Sequence, residues 1–364
     1  MRTITMSKLK VNMVSSWGIK CGIADTTQIL VEHLNKYDDI SVEVCPITEP
    51  DSRNPLYFLK LLDNIEKNEI THIQYQPGLF GYFPVPHLNY NYIALLLVKL
   101  KLQKKNKIVT TLHEFGTTTL IDGLILKILN SSDRIIVHDA SLIKTLEDKG
   151  FDQEKITKIP LGVHASNILD QAECKKDLGF SDKRIITIFG FLGENKGHDL
   201  VVDVMPRLDD DIILLVAGGA RNQEQQEYYK FLKDMVKSME LEDRVIFLDF
   251  VKDEDIPLVA SATDLFIYPY TWIAASAALN QALTYKKPTL TSDLDYFKGI
   301  KDEFDCIELF KNRDKEDLFN KITGIMNNPD KQAYLTKQCG IYYEKSNWEA
   351  VAKQTKDLYY AMLD

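Results

Sequence analysis

No two of the five cysteines (Cys21, Cys45, Cys174, Cys306 and Cys339) form a C-x-x-C pair, and their number is odd. Scattered thiols of this kind argue against a disulfide framework or a thiol-built zinc site, and for reduced cysteines in a cytoplasmic protein. No two histidines stand at H-x-x-x-H spacing, so no metal site is expected. An excess of positive charge is also missing: the formal net charge is −9, which sets aside a general nucleic-acid binder. No stretch approaches the roughly 20 apolar residues of a membrane span. The opening MRTITMSKLKVNMVSS lacks the apolar core of a secretory signal. Proline-rich linkers, low-complexity tracts and internal repeats are absent as well. The expectation is a soluble cytoplasmic protein whose contact with a membrane, if any, is peripheral.

What the chain does contain is a regular alternation of strand-like and helix-like segments. Lys10 to Ser15 reads as a strand, Trp17 to Gly22 as a loop with two glycines, and Ile23 to Lys36 as an amphipathic helix. Strands follow at Val42 to Pro46, His72 to Gln76, Lys107 to Leu112 and Arg134 to Val137, with a last strand and exit loop at Ile156 to Val163. Helices are read between them at Leu56 to Lys67, Tyr90 to Leu102 and Ala140 to Lys149. Strands disappear around Ser166 to Ser181, and a second series opens at Arg184 to Phe189. It continues with strands at Ile212 to Ala217, Arg244 to Leu248, Leu265 to Tyr268, Pro288 to Ser292 and Asp305 to Leu309. Helices close it at Lys315 to Asn327, Lys331 to Gln338 and Trp348 to Met362. Such alternation implies parallel sheets covered on both faces. The expected organisation is two α/β domains, residues 1–165 and 166–345, with a terminal helix, 346–364, packing back on the first.

The stretch from Asp264 to Ser292 concentrates the functional signal. A buried strand stops at Pro269-Tyr270, small residues run from Ala274 to Ala278, and a helix carrying Leu279, Ala282 and Leu283 follows. This order places a helix N-terminus at the carboxyl edge of a parallel sheet, where unpaired N–H groups attract phosphate. Ser276, Ala277 and Ala278 are small enough to let a diphosphate approach. Tight helix–sheet packing is the plainer account of the same residues.

Several motifs in order resemble the retaining glycosyltransferases of family four, glycosyltransferase group 1, whose GT-B fold pairs two Rossmann-like domains. They are CGIADTTQILVEHL (Cys21 to Leu34), THIQYQPGLFGYFP (Thr71 to Pro84), TTLHEF (Thr110 to Phe115) and DRIIVHDASLIKTLEDKG (Asp133 to Gly150). KIPLGV (Lys158 to Val163), FGFLGENKGHDLVVDVM (Phe189 to Met205), LLVAGGA (Leu214 to Ala220) and RVIFLDFVKDEDIPLVASATDLFIYPY (Arg244 to Tyr270) continue the series. The resemblance implies a second domain that grips a nucleotide-sugar donor and a first domain that presents a glycan, lipid-linked or small-molecule acceptor, with chemistry in the cleft between them. Lys196 corresponds to the lysine that neutralises the donor diphosphate, and His113, followed by Glu114, to a histidine near the sugar. Gly22, Gly190, Gly218 and Gly219 correspond to backbone positions beside the donor, and Ser276 to Leu279 with Gln281 to its helix-start site. His72 and His138 are read as structural. No cofactor is implied, since the nucleotide-sugar is a substrate.

The pattern breaks at the glutamate pair with which the family clamps its donor: the aligned positions hold Ile273 and Gln281. Gln281 retains an amide oxygen that accepts a hydrogen bond; Ile273 has no acceptor. A basic residue common near the lysine is replaced by Phe191 or Gly193, with Lys20 or Arg221 as candidate substitutes. Two functions of different class remain open: a working transferase, or a GT-B scaffold that binds without turning over. A sugar-nucleotide epimerase fits less well, for want of its acidic residues. The Leu-rich run Tyr92 to Lys107, with Lys99, Lys101, Lys104, Lys105 and Lys107, suits either an anionic membrane surface or an ordinary covered helix.

Overall fold

The structure is a computed structural model that describes residues 8–19, 21–50, 52–63, 65, 68–81, 92–103, 106–113, 120–273 and 276–363. Lys20, Glu114, Lys104, Lys105, Ala274 and Ala275, singled out above, lie outside the described residues, as do residues 82–86.

The chain divides into two units, residues 1–162 with 348–364, and residues 163–347. The first holds strands β1 (Leu9–Ser16), β2 (Ile40–Ile47), β3 (Ile70–Tyr75), β4 (Lys107–Leu112), β5 (Arg134–Val137) and β6 (Ile156–Lys158). They form one parallel sheet in the order β2-β1-β3-β4-β5-β6. Alternation along β1 decides which helices cover which face. Val11 and Met13 point to one side, where they pack with Leu30 and Leu34 of the Gly22–Leu34 helix and with Val351 and Tyr359 of the Trp348–Ala361 helix. Val14 points to the other side, under the helices Pro55–Asp63, Ile93–Gln103 and Leu120–Leu129. A period of two along a strand buried on both faces requires this sorting.

The second unit holds β7 (Arg184–Phe189), β8 (Ile212–Ala217), β9 (Val245–Asp249), β10 (Leu265–Tyr268), β11 (Thr289–Ser292) and β12 (Glu308–Phe310). Their parallel order is β12-β11-β10-β7-β8-β9. Ile186 and Ile188 pack with Val201, Leu232 and Ile322 on one face, whereas Phe266 and Tyr268 pack with Leu279, Phe297 and Tyr342 on the other. Two helices depart from the sequence reading. Asp295–Phe304 was not anticipated, because Gly299 and five charged residues obscure it. Burying Phe297, Ile300 and Phe304 contributes roughly 1.5–3 kcal/mol each, which outweighs the roughly 1 kcal/mol that a helical glycine costs. The helix starting at Pro329 runs on to Ser346, beyond the expected stop at Gln338. Gly340 was a misleading stop signal, since it sits inside that helix with open space around it.

Each sheet has one place where the strand order reverses: between β1 and β3, and between β7 and β10. Loops that leave neighbouring strands in opposite directions open a crevice there, outside the carboxyl ends, and ligands of open α/β sheets bind in it. Among the described residues, no helix is long and apolar enough to cross a membrane.

Candidate functional site

At the β7/β10 reversal in the second unit lies a cavity of about 430 Å³, a volume within the range of small-ligand sites. Its floor is built by glycines. A Cβ on Gly218 would stand 1.8 Å from the Gly190 carbonyl oxygen, so the exits of β7 and β8 touch backbone to backbone. Gly190 has φ +124° and lies close enough to Ala278 that a Cβ would meet that methyl at 3.2 Å.

The loop after Gly190 ends in a turn that delivers Lys196. Its N–H donates to the Gly193 carbonyl at 2.9 Å, and Gly197 adopts a left-handed φ of +67° tight against the Pro269 carbonyl. The Thr271 N–H donates to the Asn195 carbonyl at 2.9 Å, and Asn195 Nδ2 donates to the Trp272 carbonyl at 3.3 Å. The lysine loop is thereby fastened to the exit of β10. Lys196 Nζ lies 3.9 Å from the centroid of the Tyr270 ring. Partial burial holds the ammonium's pKa below its usual value, while burial pushes the Tyr270 phenol up to about 12. A neutral ring faces the cation.

Opposite Lys196, the helix Ala277–Thr284 opens into the same cavity. Ser276 caps it, its Oγ accepting from the Leu279 N–H at 3.1 Å. The Ala277 and Ala278 N–H groups come before any helical carbonyl they can pair with. Leu279 is therefore placed differently from its neighbours: its N–H is taken by the cap and its side chain is fully buried in the core. Gln281 lines the cavity, whereas Ile273 packs against the apolar cluster around Phe266 and Tyr268. Gly219 lies just beyond the floor, against the Phe250 backbone.

Sequence reasoning missed the outer wall. Phe191 and Phe250 stack at 6.4 Å with 24° between their planes, and the Arg221 guanidinium lies 4.4 Å above Phe191. Asp253 also lines the cavity, and it opens Asp253-Glu254-Asp255, a D-x-D spacing that corrects the sequence reading, which took such a spacing to be absent. Only the tertiary fold brings Phe191, Arg221 and Phe250 together. Among the described residues, no group of three or more His, Cys, Asp and Glu is arranged to hold a metal. A larger hollow of about 510 Å³ lies at the opposite, amino-terminal edge of the same sheet, beside Asp264, Lys287 and Pro288. Burial lowers the Lys287 pKa to about 8, but no strand reversal opens a ligand crevice at that edge.

The first unit holds the two remaining predicted residues. Gly22 begins the Gly22–Leu34 helix with no side-chain cap from Cys21 and nothing within 4 Å of where a Cβ would stand. His113 follows β4 and shares a small cavity of about 30 Å³ with Gln74, His72 and His138. His113 Nε2 lies 2.7 Å from Gln74 Oε1, and its ring centroid is 5.0 Å from that of His138. His138 Nδ1 donates to the Ile159 carbonyl at 3.0 Å. His72 is locked between the Tyr359 hydroxyl at 2.6 Å and Thr111 Oγ1 at 2.7 Å. Burial keeps all three imidazoles neutral, taking His72 down to about 3 and holding His113 and His138 below the ordinary value.

With this geometry in place, comparison with known proteins defines the class. The fold matches solved GT-B structures over nearly the whole chain. HepE of Anabaena, solved with UDP, gives a TM-score of 0.74 at 16% identity, covering 97% of this chain and 100% of that one. A glycosyltransferase from Rickettsia africae gives 0.73 at 15% identity, covering 99% and 100%. Sucrose-phosphate synthase from Thermosynechococcus elongatus gives 0.68 at 17% identity, covering 98% and 99%. Residues 170–356 match the family model "Glycosyl transferases group 1", and the chain belongs to that family. Mannosylfructose-phosphate synthase of Agrobacterium fabrum is 30% identical over 176 residues, a match spanning 45% of this chain and 38% of that relative.

Proposed function

We propose that this protein transfers a sugar from a nucleotide-sugar donor to a glycan, lipid-linked or small-molecule acceptor, with retention of anomeric configuration and without a metal. The observation that carries the reading is the convergence of Lys196 and the Ser276-capped helix start on one cavity at the strand reversal. A diphosphate seated there meets a cation and two free N–H groups, which stabilise the negative charge that develops as it leaves. The bond from the anomeric carbon to the diphosphate oxygen breaks. A bond from that carbon to the acceptor oxygen forms on the same face, and the acceptor proton passes to the departing diphosphate. Gln281 is suited to receive a ribose hydroxyl, and the nucleobase is assigned to the wall of Phe191 and Phe250. His113 is assigned to the sugar or the acceptor. UDP is the first nucleotide to try, since HepE is solved with it.

A binding scaffold without turnover is the second reading. It is favoured by Ile273, whose half-buried apolar side chain packs against the core and offers no acceptor to a donor sugar. Calorimetry with UDP, GDP, ADP and their sugar forms, followed by assay of donor hydrolysis, separates the two. Binding with slow hydrolysis supports transfer, and no binding to any of these donors favours the scaffold.

A further inference from the structure

Gln74 lies on β3, among residues of the sheet core, and is 3% exposed. A buried amide costs free energy unless both of its ends are used. Its Nε2 is 3.4 Å from the Met13 sulfur and its Oε1 is 2.7 Å from His113 Nε2. A thioether accepts but never donates, so the amide nitrogen belongs beside Met13 and the oxygen beside His113. An amide oxygen only accepts. The proton of neutral His113 therefore sits on Nε2, and Nδ1 keeps its lone pair.

The neighbouring imidazole repeats this logic. His138 Nδ1 faces the Ile159 carbonyl and must carry the proton. Its Nε2 is left as an acceptor, and that buried atom has no hydrogen-bond partner among the described residues. Both rings line the same small cavity. A bare acceptor pair needs a donor, and the matching chemistry is an O–H group.

We propose that Gln74 is a positioning residue that fixes the tautomer of His113, so that His113 Nδ1 and His138 Nε2 present a two-acceptor face to a hydroxyl-bearing part of the substrate. His72, held by Tyr359 and Thr111, backs the Gln74 amide at 3.3 Å and keeps it from turning over. Protonated His113 or His138 cannot fill this role, because a cationic imidazole has only donors. The proposal rests on the glycosyltransferase reading for the nature of the hydroxyl, but not for the tautomer.

The test separates the two. Long-range nitrogen–proton NMR of imidazole-labelled protein reads tautomer and protonation without any substrate. In the wild type, His113 shows Nε2–H with an unprotonated Nδ1 and does not titrate between about pH 5 and 8. Gln74→Glu retains the acceptor and adds a charge, so the His113 pKa rises into that window. Gln74→Leu removes the acceptor and mixes the tautomers. In both variants, an unchanged thermal melting temperature reports an intact core. With an active donor–acceptor pair, Gln74→Glu loses activity as pH falls through the new His113 pKa, and Gln74→Leu raises KM about tenfold with a smaller change in kcat. A wild-type His113 protonated on Nδ1, or a tautomer and pKa unmoved by both substitutions, overturns the proposal. Absence of nucleotide binding together with the expected tautomers overturns only the functional reading.

Discussion

The ammonium of Lys196 stands 3.9 Å from the centroid of the Tyr270 ring. The ring holds the cation at the cavity wall without neutralising it, so its charge remains available to an anion. Removing it by Lys196→Ala lowers affinity for a nucleoside diphosphate about 10- to 100-fold, the range of a lost charge-assisted hydrogen bond. Tyr270→Phe keeps the ring and leaves affinity nearly unchanged. Calorimetry on both variants measures the contrast; equal losses would mean that the Tyr270 hydroxyl, which the substitution removes, matters as much as the charge.

Gln281 faces the cavity and is exposed, so a carboxylate there is not stranded in the core. A charged acceptor forms hydrogen bonds roughly twice as strong as a neutral one. Gln281→Glu is therefore expected to tighten nucleoside diphosphate binding several-fold. Loss of affinity instead would place the ribose elsewhere.

Two glycines separate backbone geometry from ligand approach. Gly218→Ala drives a methyl into the Gly190 carbonyl, forces the floor of the cavity to move, and destabilises the second unit by about 1–3 kcal/mol. Gly22→Ala meets open space and leaves stability unchanged or slightly raised. If a donor comes close to that backbone, the same variant weakens binding with the fold intact. Thermal melts with and without nucleotide distinguish these effects.

Acid is expected to destabilise the protein through its buried histidines. His72 and His198 are each held down to about 3 by burial, with Lys196 adding to the effect on His198. Their folded-state values lie below the unfolded value near 6.5, so the unfolded chain takes up protons first. Their contribution to stability is complete above about pH 6.5 and is lost as pH falls toward 3, at about 1.4 kcal/mol per pH unit for each. Among the described residues, neither buried ring nitrogen of His198 has a hydrogen-bond partner. His198→Leu should flatten the slope by one histidine, as denaturant melts from pH 7 to 5 would show.

Chelation tests the metal-free mechanism directly. Asp253 lines the cavity and heads a D-x-D spacing. EDTA should leave nucleotide binding and donor hydrolysis unchanged, and Mg²⁺ or Mn²⁺ should not raise them. Metal-dependent binding that is lost in Asp253→Asn would replace Lys196 with an ion as the main counter-charge.

The α/β class was readable because its signals are local. Apolar runs such as Ile212 to Ala217, fully buried on both faces, alternate with amphipathic helices whose periodicity survives any partner. The glycine-flanked lysine and the small residues before Leu279 were readable for the same reason, since turn and cap chemistry lies within a few residues. The Asp295–Phe304 helix was not, because its three apolar contacts count only once the neighbouring Tyr342 and Tyr270 are in place to receive them.

By itself, then, the sequence determined two parallel α/β sheets and the family to which the motifs belong. The tertiary structure alone decided that Phe191, Arg221 and Phe250 form one wall, that Ile273 packs half-buried against the core, and that three histidines read as separate strand-end residues or core fillers share one cavity. The physical reason is range. Periodicity and capping act over a few residues, whereas a cavity wall or a tautomer depends on which distant strands the sheet makes neighbours.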